Sequence, residues 1–599
     1  MAGGIEEPDG SKSNDSPSTI NLTRIRERIR SYIDEHQYKS ALFWADKVVS
    51  LSNGAVEDVY WYAQCLYHTG QYHRASHVIC SRKLDRTELA CRYLAAKCHY
   101  KCNEWQEALN IIDMVDVSCM RNPTRNLFQG GSFTESKSEL SKRETNQSIH
   151  LLRGKIYESM DNRNLAMDCF REALREDVYC YEAFDLLVSH NMLSSQEEQD
   201  LINSLPFMTQ CPDEELELVK FLYENKLKKY HKPKDLKVPE SLSPMNENLD
   251  VVVNLAERYY YNCEIRECYK ITTKILSKDC YNSTCLPLHI AVLVELLKPN
   301  ELFYLAHKLV DLYPNKPVSW FAVGCYYLLT DKSELARRYL SKATNLDRVY
   351  GPAWLAFGHS FAADNEHDQA MAAYFTASQL MKGCHLPLLY IGLEYGLTNN
   401  FKLADKFFNQ ALSVAPEDPF VLHEMGVIAF KNQDWITAEK YFKIALEKVQ
   451  SVTEKVMFEK WEPLLNNLGH TCRKRKNYEA ALEYHRQARL LAPQNPSTYS
   501  AIAYCHVLMG DNLQAVDYYH KALGIRRDDA FSTTMLGQVI EALVTEMSPC
   551  QGVPDELPPF EGTGRLDILN TTSKTEEEDS AVIDSSSMLI EEVDMEGSD

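Results

Sequence analysis

At 599 residues and 68.8 kDa the chain is too long for one compact core, which calls for several domains or a repeat array. With 45% hydrophobic and 25% charged residues it is neither disordered nor collagenous, and 23 glycines and 23 prolines leave little turn material for an all-β protein. The formal charge of −21, from 85 acidic against 64 basic residues, disfavours a nucleic-acid partner, which needs clustered positive charge.

Residues 1–21 lack the basic start and apolar run of a signal peptide. They are expected to be disordered, and the eighteen cysteines to be reduced, buried thiols of a cytosolic or nuclear protein. Residues 22–214 read as an array of helix pairs. Ile25, Ile29, Tyr32, Ala41, Ala45 and Val48 make one copy, Tyr62, Ala63, Leu66, Ala75 and Ile79 a second, and Ala95, Ala96, Ala108 and Ile112 a third. Phase is lost over 123–146, where Gly130-Gly131 and seven Ser/Thr predict a polar loop. Gly154, Tyr157, Ala166, Phe170 and Ala173 restore it, and Phe184 with Leu187 opens a degenerate fifth copy. Residues 215–248 predict a helix and a connector containing Pro233, Pro239 and Pro244.

Between 249 and 529 the repeat becomes strong. Trp320, Val323-Gly324, Tyr327, Ala336, Leu340 and Ala343 recur thirty-four residues later as Trp354, Phe357-Gly358, Phe361, Ala370, Tyr374 and Ala377. Two further shifts give Leu388, Ile391-Gly392, Tyr395, Ala404, Phe408 and Ala411, then Leu422, Met425-Gly426, Ala429, Ala438, Phe442 and Ala445. Weaker copies begin at Leu249 and Ser283, and two more follow a nine-residue insertion, Thr453 to Trp461. This is the tetratricopeptide-repeat (TPR) pattern. The large residues line one face of each helix, while the glycines, with Ala336, Ala370, Ala404 and Ala438, let the two backbones approach. The expectation is an all-α superhelix of roughly fourteen helix pairs. Residues 530–547 are expected to cap it, and 548–599 to form a disordered acidic tail.

The sequence contains no phosphate-binding loop, dinucleotide fingerprint, HExxH, nucleophile elbow or CxxC, so no catalytic, cofactor or metal residue is assigned. Function is expected in the concave channel lined by the first helices. Its candidate residues are Phe321, Leu355, His359, Leu389, Leu393, His423, Phe430, Asn466, Asn467, His470, Arg473, Lys474 and Tyr504. The apolar members are expected to receive a partner's side chains, each gaining on the order of 1.5–3 kcal/mol, so that Leu389→Asp or Phe321→Asp weakens capture. The run Arg473 to Lys476 falls where a first helix ends and reads first as a solvated turn. Ser16, Ser243 and Ser548, each followed by proline, are candidate phosphorylation sites.

Beyond the generic repeat, Ser40 to Val48, Cys91 to Ala96, Lys316 to Gly324, Gly351 to Phe361, Glu366 to Ala370, Glu462 to His470 and Arg526 to Asp529 resemble the cell-division-cycle-sixteen family of anaphase-promoting-complex subunits. The resemblance implies a non-catalytic scaffold in a cell-cycle ubiquitin ligase, found in nucleus and cytoplasm, including the mitotic spindle and centrosome. It also implies a homodimer through the N-terminal repeats, for which Tyr60, Gln64 and Tyr67 are candidates, and a small accessory subunit enclosed in the C-terminal groove. Sister TPR, cullin-like and RING subunits would be its other partners, with no membrane or nucleic acid. The alternative is a chaperone adaptor that captures acidic C-terminal peptides. Such clamps use several Lys and Asn residues in three repeats, whereas this groove is expected to be mostly apolar.

Overall fold

Each repeat turns from its first helix to its second through one residue in the left-handed region. Cys263, Leu297, Asp331, Asn365, Asn399 and Gln433 occupy that position at φ between 51° and 63°, thirty-four residues apart. Lys476 and Gly510 continue the series after the insertion. Asn and Asp tolerate this conformation by local hydrogen bonding and Gly by lacking a Cβ. The first helices start from fixed points as well. Pro317, Pro419 and Pro496 open theirs, where proline's missing N–H has no intrahelical partner to lose, and Asp418 and Asn495 accept the amides of Phe420 and Ser497 as caps.

The computed structural model describes residues 21–113, 135–227, 238–452 and 459–546. Among them every regular element is a helix, and none is long and apolar enough to cross a membrane. The chain forms two compact units, one of residues 1–189 with 203–216 and one of 190–202 with 217–599. In the first, four regular pairs run Leu22–Asp34 with Tyr38–Leu51, Val56–His68 with Tyr72–Ser81, Leu89–Lys101 with Trp105–Ile112, and Glu135–Ser159 with Arg163–Glu176. The loop expected over 123–146 is corrected at its end, because helix begins at Glu135. The run from Glu135 to Asn146 is rich in Ser/Thr but holds Glu, Lys, Leu and Arg without Gly or Pro, so its propensity favours helix. The rest of that loop lies outside the described residues, as do the N-terminal stretch and the acidic tail.

The second unit holds eight regular pairs, from Leu249–Tyr261 with Ile265–Lys278 to Pro496–Met509 with Asn512–Ile525, capped by Ala530–Glu546. The helix expected after 215 is Asp213–Leu227, and a 3₁₀ segment, Glu240–Glu247, leads into the first pair. First helices of consecutive repeats pack against one another here, for example Pro317–Leu329 with Gly351–Ala362 and Pro419–Lys431 with Glu462–Lys474. Crowding first helices on one side curves the stack and makes that side concave. The curvature brings distant repeats together. Lys460 pairs with Glu295, Tyr261 meets the His385 ring at 6.4 Å, and Gly383 N donates to Asn191 O.

Within a repeat the helices meet at the glycine. Cβ atoms built on Gly154, Gly324, Gly358, Gly392, Gly426 and Gly469 would lie less than 3.0 Å from Phe170, Leu340, Tyr374, Phe408, Phe442 and His485, always sixteen residues on. The repeat's alanines are fully buried beside this contact, but the space the glycine leaves is taken by the larger side chain. The described cysteines are all free thiols, most of them buried, and burial pushes those of Cys91 and Cys98 up to about 12.

Replacing Gly392 with alanine therefore forces the Phe408 ring to move, with an expected loss of about 1–3 kcal/mol. Gly524, helical and with nothing near its missing Cβ, is the control: alanine there is expected to stabilise by roughly 0.5–1 kcal/mol. Urea midpoints followed by circular dichroism check both signs.

Candidate partner groove

The crowding that creates the concave face also covers much of it. Of the groove candidates, Phe321, Leu389, Leu393, His423, Phe430, Asn466, Asn467 and Arg473 are buried, while Leu355, His359, His470, Lys474 and Tyr504 are half-buried. The apolar members are corrected in role. Phe321 lies edge-on to Tyr350 at 5.7 Å inside the core of consecutive repeats. Leu389 and Leu393 pack with Val421, Met425 and Ile428 of the next first helix, and Phe430 meets Trp435 at 4.7 Å. Leu355 packs on the cluster of Tyr374 and Ile391. These side chains hold neighbouring repeats together, so an aspartate at Leu389 or Phe321 would break packing before it touched a ligand. Trp461, assigned by sequence to the insertion, is likewise core: it is buried and stacks on Phe420 at 4.5 Å.

What the first helices bring together instead is polar. Glu462 Oε1 accepts from Asn466 Nδ2, from Asn495 Nδ2 at 2.9 Å and from Thr498 Oγ1 at 2.8 Å. Asn466 Oδ1 lies 2.9 Å from His485 Nδ1, and Asn466 Nδ2 donates to Thr498 Oγ1 at 2.8 Å. One residue on, Asn467 Nδ2 reaches His423 Nε2 at 2.9 Å, and His423 Nδ1 meets Glu424 Oε1 at 2.8 Å. With the proton on His423 Nδ1 both contacts are satisfied, the amide donating to Nε2 and the ring to the carboxylate. This network runs through three successive first helices, Pro419–Lys431, Glu462–Lys474 and Pro496–Met509. Among the described residues His485 Nε2, His470 Nδ1 and Glu424 Oε2 are buried without a hydrogen-bond partner, and His485 Nε2 lies against the Gly469 backbone. These polar side chains are as buried as the apolar ones, so they too tie consecutive first helices together, and His359, His470, Lys474 and Tyr504 remain as the half-buried polar face of the channel.

Burial sets the charge of this wall. Desolvation holds His485 down to about 3, helped by the nearby Arg473 guanidinium, and His359 down to about 4. Desolvation also holds His470 well below the ordinary value, reinforced by His485, Arg473 and Lys474. His359 Nδ1 is 2.8 Å from the Tyr374 hydroxyl. The basic run splits by position. The Arg473 guanidinium lies over Tyr504 at 4.8 Å and Lys474 over Trp435 at 5.8 Å, whereas Arg475 pairs with Glu439. Tyr504 meets Phe531 of the capping helix at 5.8 Å. These cations are engaged with rings and an acid, which is not the open carboxylate clamp of a chaperone adaptor.

In the first unit, Tyr60, Gln64 and Tyr67 fall at spacings of four and three on one helix, and all are half-buried. Tyr60 and Tyr67 pack on the local core, where burial raises Tyr67 to about 12, and Lys97 sits over the Tyr67 ring at 5.4 Å. Gln64 Oε1 between them is buried and without a hydrogen-bond partner. His99, Glu104 and Glu107 are the one group among the described residues that could hold a cation. His99 Nδ1 already lies 2.6 Å from Glu104 Oε2 and 3.4 Å from Glu107 Oε2, which reads as an ion pair. Ser243 is exposed, and Ser16 and Ser548 lie outside the described residues.

The stacked pairs, left-handed turn residues and first helices gathered on one side define a TPR superhelix. The family model described as anaphase-promoting complex, cyclosome, subunit 3, matches residues 34–115, and tetratricopeptide-repeat models match 148–177, 390–418 and 462–528. Over 528 residues the chain is 62% identical to the human Cell division cycle protein 16 homolog, spanning 88% of this chain and 85% of that protein. It is 38% identical to Anaphase-promoting complex subunit 6 of Arabidopsis thaliana, over 89% of this chain and 98% of that one. The crystal structure of the APC/C hetero-tetramer Cut9-Hcn1 superposes with a TM-score of 0.72 at 34% identity, over 87% of this chain and 96% of that one. The chain belongs to the cell division cycle protein 16 family of anaphase-promoting-complex subunits.

The buried histidines give stability a pH dependence of defined sign. Unfolded histidine titrates near 6.5, so below that pH the unfolded chain takes up protons that folded His485, His359 and His289 refuse down to about 3, 4 and 4. Their contribution is complete above about pH 6.5 and is lost progressively as pH falls towards 4. The urea midpoint is expected to drop between pH 7 and pH 5.5, and His485→Asn, which keeps a donor for Asn466, is expected to flatten part of that slope.

Proposed function

We propose that the chain is a non-catalytic scaffold of the anaphase-promoting complex, homodimeric through its first unit and holding a small accessory subunit in the polar channel of its second. The family carries this reading: the chain is 62% identical to the human Cell division cycle protein 16 homolog, and its second unit stacks eight helix pairs with consecutive first helices packed together on the concave side. The half-buried His359, His470, Lys474 and Tyr504 are the polar first-helix residues within reach of a peptide in the channel. The relative Cut9, at 34% identity, was solved in a hetero-tetramer with a second protein, Hcn1, which supports a partner subunit for this chain. In the first unit, half-buried Gln64 lies between Tyr60 and Tyr67, and its side-chain oxygen has no hydrogen-bond partner among the described residues. Sister TPR, cullin-like and RING subunits would then dock around the dimer, in nucleus and cytoplasm and at the spindle. Catalysis would rest with those other subunits.

Lys474→Glu combined with His470→Ala alters the half-buried end of the channel while leaving the inter-repeat core untouched. Co-purified accessory subunit is expected to fall on the order of tenfold, with the urea midpoint nearly unchanged. Undiminished capture would remove the channel as the binding site. For the dimer, Gln64→Leu deletes the stranded oxygen. Its monomer fold is expected to be at least as stable, while dimer dissociation measured by sedimentation rises roughly tenfold, the equivalent of one hydrogen bond.

A further inference from the structure

Away from the channel, the repeat at 317–346 carries an open cleft of about 430 Å³ with an unusual wall. Trp320 is fixed by donating from Nε1 to Pro314 O at 2.7 Å. Tyr339 stacks between Trp320, at 5.8 Å and 6°, and Tyr327, at 5.4 Å and 8°. Lys342 Nζ sits 3.3 Å from the centroid of the Trp320 ring. Arg338 and Lys342 are exposed, and neither has an ion pair or hydrogen bond to another side chain among the described residues. No Asp or Glu lines the cleft. Asp364 and Glu366 pair with Arg337, one residue earlier.

The repeat pattern does not demand this arrangement. Thirty-four residues on, the tryptophan recurs as Trp354, but the counterparts of Arg338, Tyr339 and Lys342 are Ala372, Ala373 and Thr376. Another shift gives Leu388, Lys406, Phe407 and Gln410, with one cation and no tryptophan. A rigid aromatic wall beside two cations that make no ion pair among the described residues, in a chain of net charge −21, suits carboxylates.

We propose that this cleft is a docking site for an acidic peptide segment, and that its occupant is the chain's own acidic tail around Glu576-Glu577-Glu578-Asp579. Charge complementarity favours it: Gln551 to Asp599 carries 14 acidic residues against Arg565 and Lys574. Reach permits it. The capping helix ends at Glu546 in the same unit, and the thirty residues to Glu576 can span up to about 100 Å when extended. Five repeats lie between, with neighbouring helices about 8–10 Å apart. Tethering also raises the tail's effective concentration into the millimolar range, enough to populate a contact made of a few ion pairs. The contact screens with salt, and it covers the cleft against other acidic segments until the tail is displaced. It does not depend on the channel reading.

The full-length protein coupled with a zero-length carbodiimide and digested for mass spectrometry tests this directly. The expected result is coupling of Lys342 to the Glu576–Asp579 run at low ionic strength, falling at least fivefold in 0.5 M salt and in the exposed variant Arg338→Glu. The variant carrying Glu576→Gln, Glu577→Gln, Glu578→Gln and Asp579→Asn should lose it. Coupling of the tail to many lysines with no enrichment at Lys342, or coupling undiminished in Arg338→Glu, would overturn the assignment. So would coupling found only between chains in a mixture of light and heavy isotope-labelled protein.

Discussion

The repeat architecture depends on one contact: a glycine in the first helix set against a large side chain sixteen residues later in the second. Because Gly324, Gly358, Gly392, Gly426 and Gly469 offer no Cβ, the rings of Tyr374, Phe408 and Phe442 and the side chains of Leu340 and His485 close directly on backbone. That fixes the angle within each pair, and the left-handed turn residue fixes how the pair is entered. Repetition converts a fixed pair geometry into a fixed curvature. The concave wall is therefore a consequence of local packing, and its chemistry follows from which residues the first helices turn inwards.

Curvature then generates contacts that a straight stack cannot make. Lys460 reaches Glu295 across four intervening repeats, and its ammonium lies 4.6 Å from the Phe420 ring, beside Trp461. Tyr261 touches His385, which is itself paired with Asp418 at 2.6 Å. These ties link the first repeats of the second unit to its later ones. Packing of consecutive first helices buries so many inner residues, and the same burial depresses the histidines among them by desolvation.

Much of the fold was legible in the sequence because a repeat's contacts close within thirty-four residues, so periodicity reports them. The left-handed series at Cys263, Leu297, Asp331, Asn365, Asn399 and Gln433 carries the same period, and its three Asn/Asp residues were a readable turn signal. The channel was only half legible. Phase alone selected Asn466, Asn467, His423 and His470, which do converge, but it could not separate them from Phe321, Leu389, Leu393 and Phe430, which consecutive first helices consume in packing. That distinction, like the pairing of Lys460 with Glu295, depends on a curvature summed over many small rotations. Glu462, Thr498 and His485 escaped notice because each looks ordinary alone and acquires its role only beside Asn466. The start of helix at Glu135 was masked by serines whose helical neighbours outweigh them.

The most direct test of the account is hydrogen–deuterium exchange of the full chain with and without the accessory subunit. Enclosure of a peptide by the channel predicts added protection in the first helices Pro419–Lys431, Glu462–Lys474 and Pro496–Met509, and little change in the second helices Tyr478–Leu491 and Asn512–Ile525. Protection confined to the second helices, or none in this region despite a formed complex, would contradict a partner held on the concave polar wall.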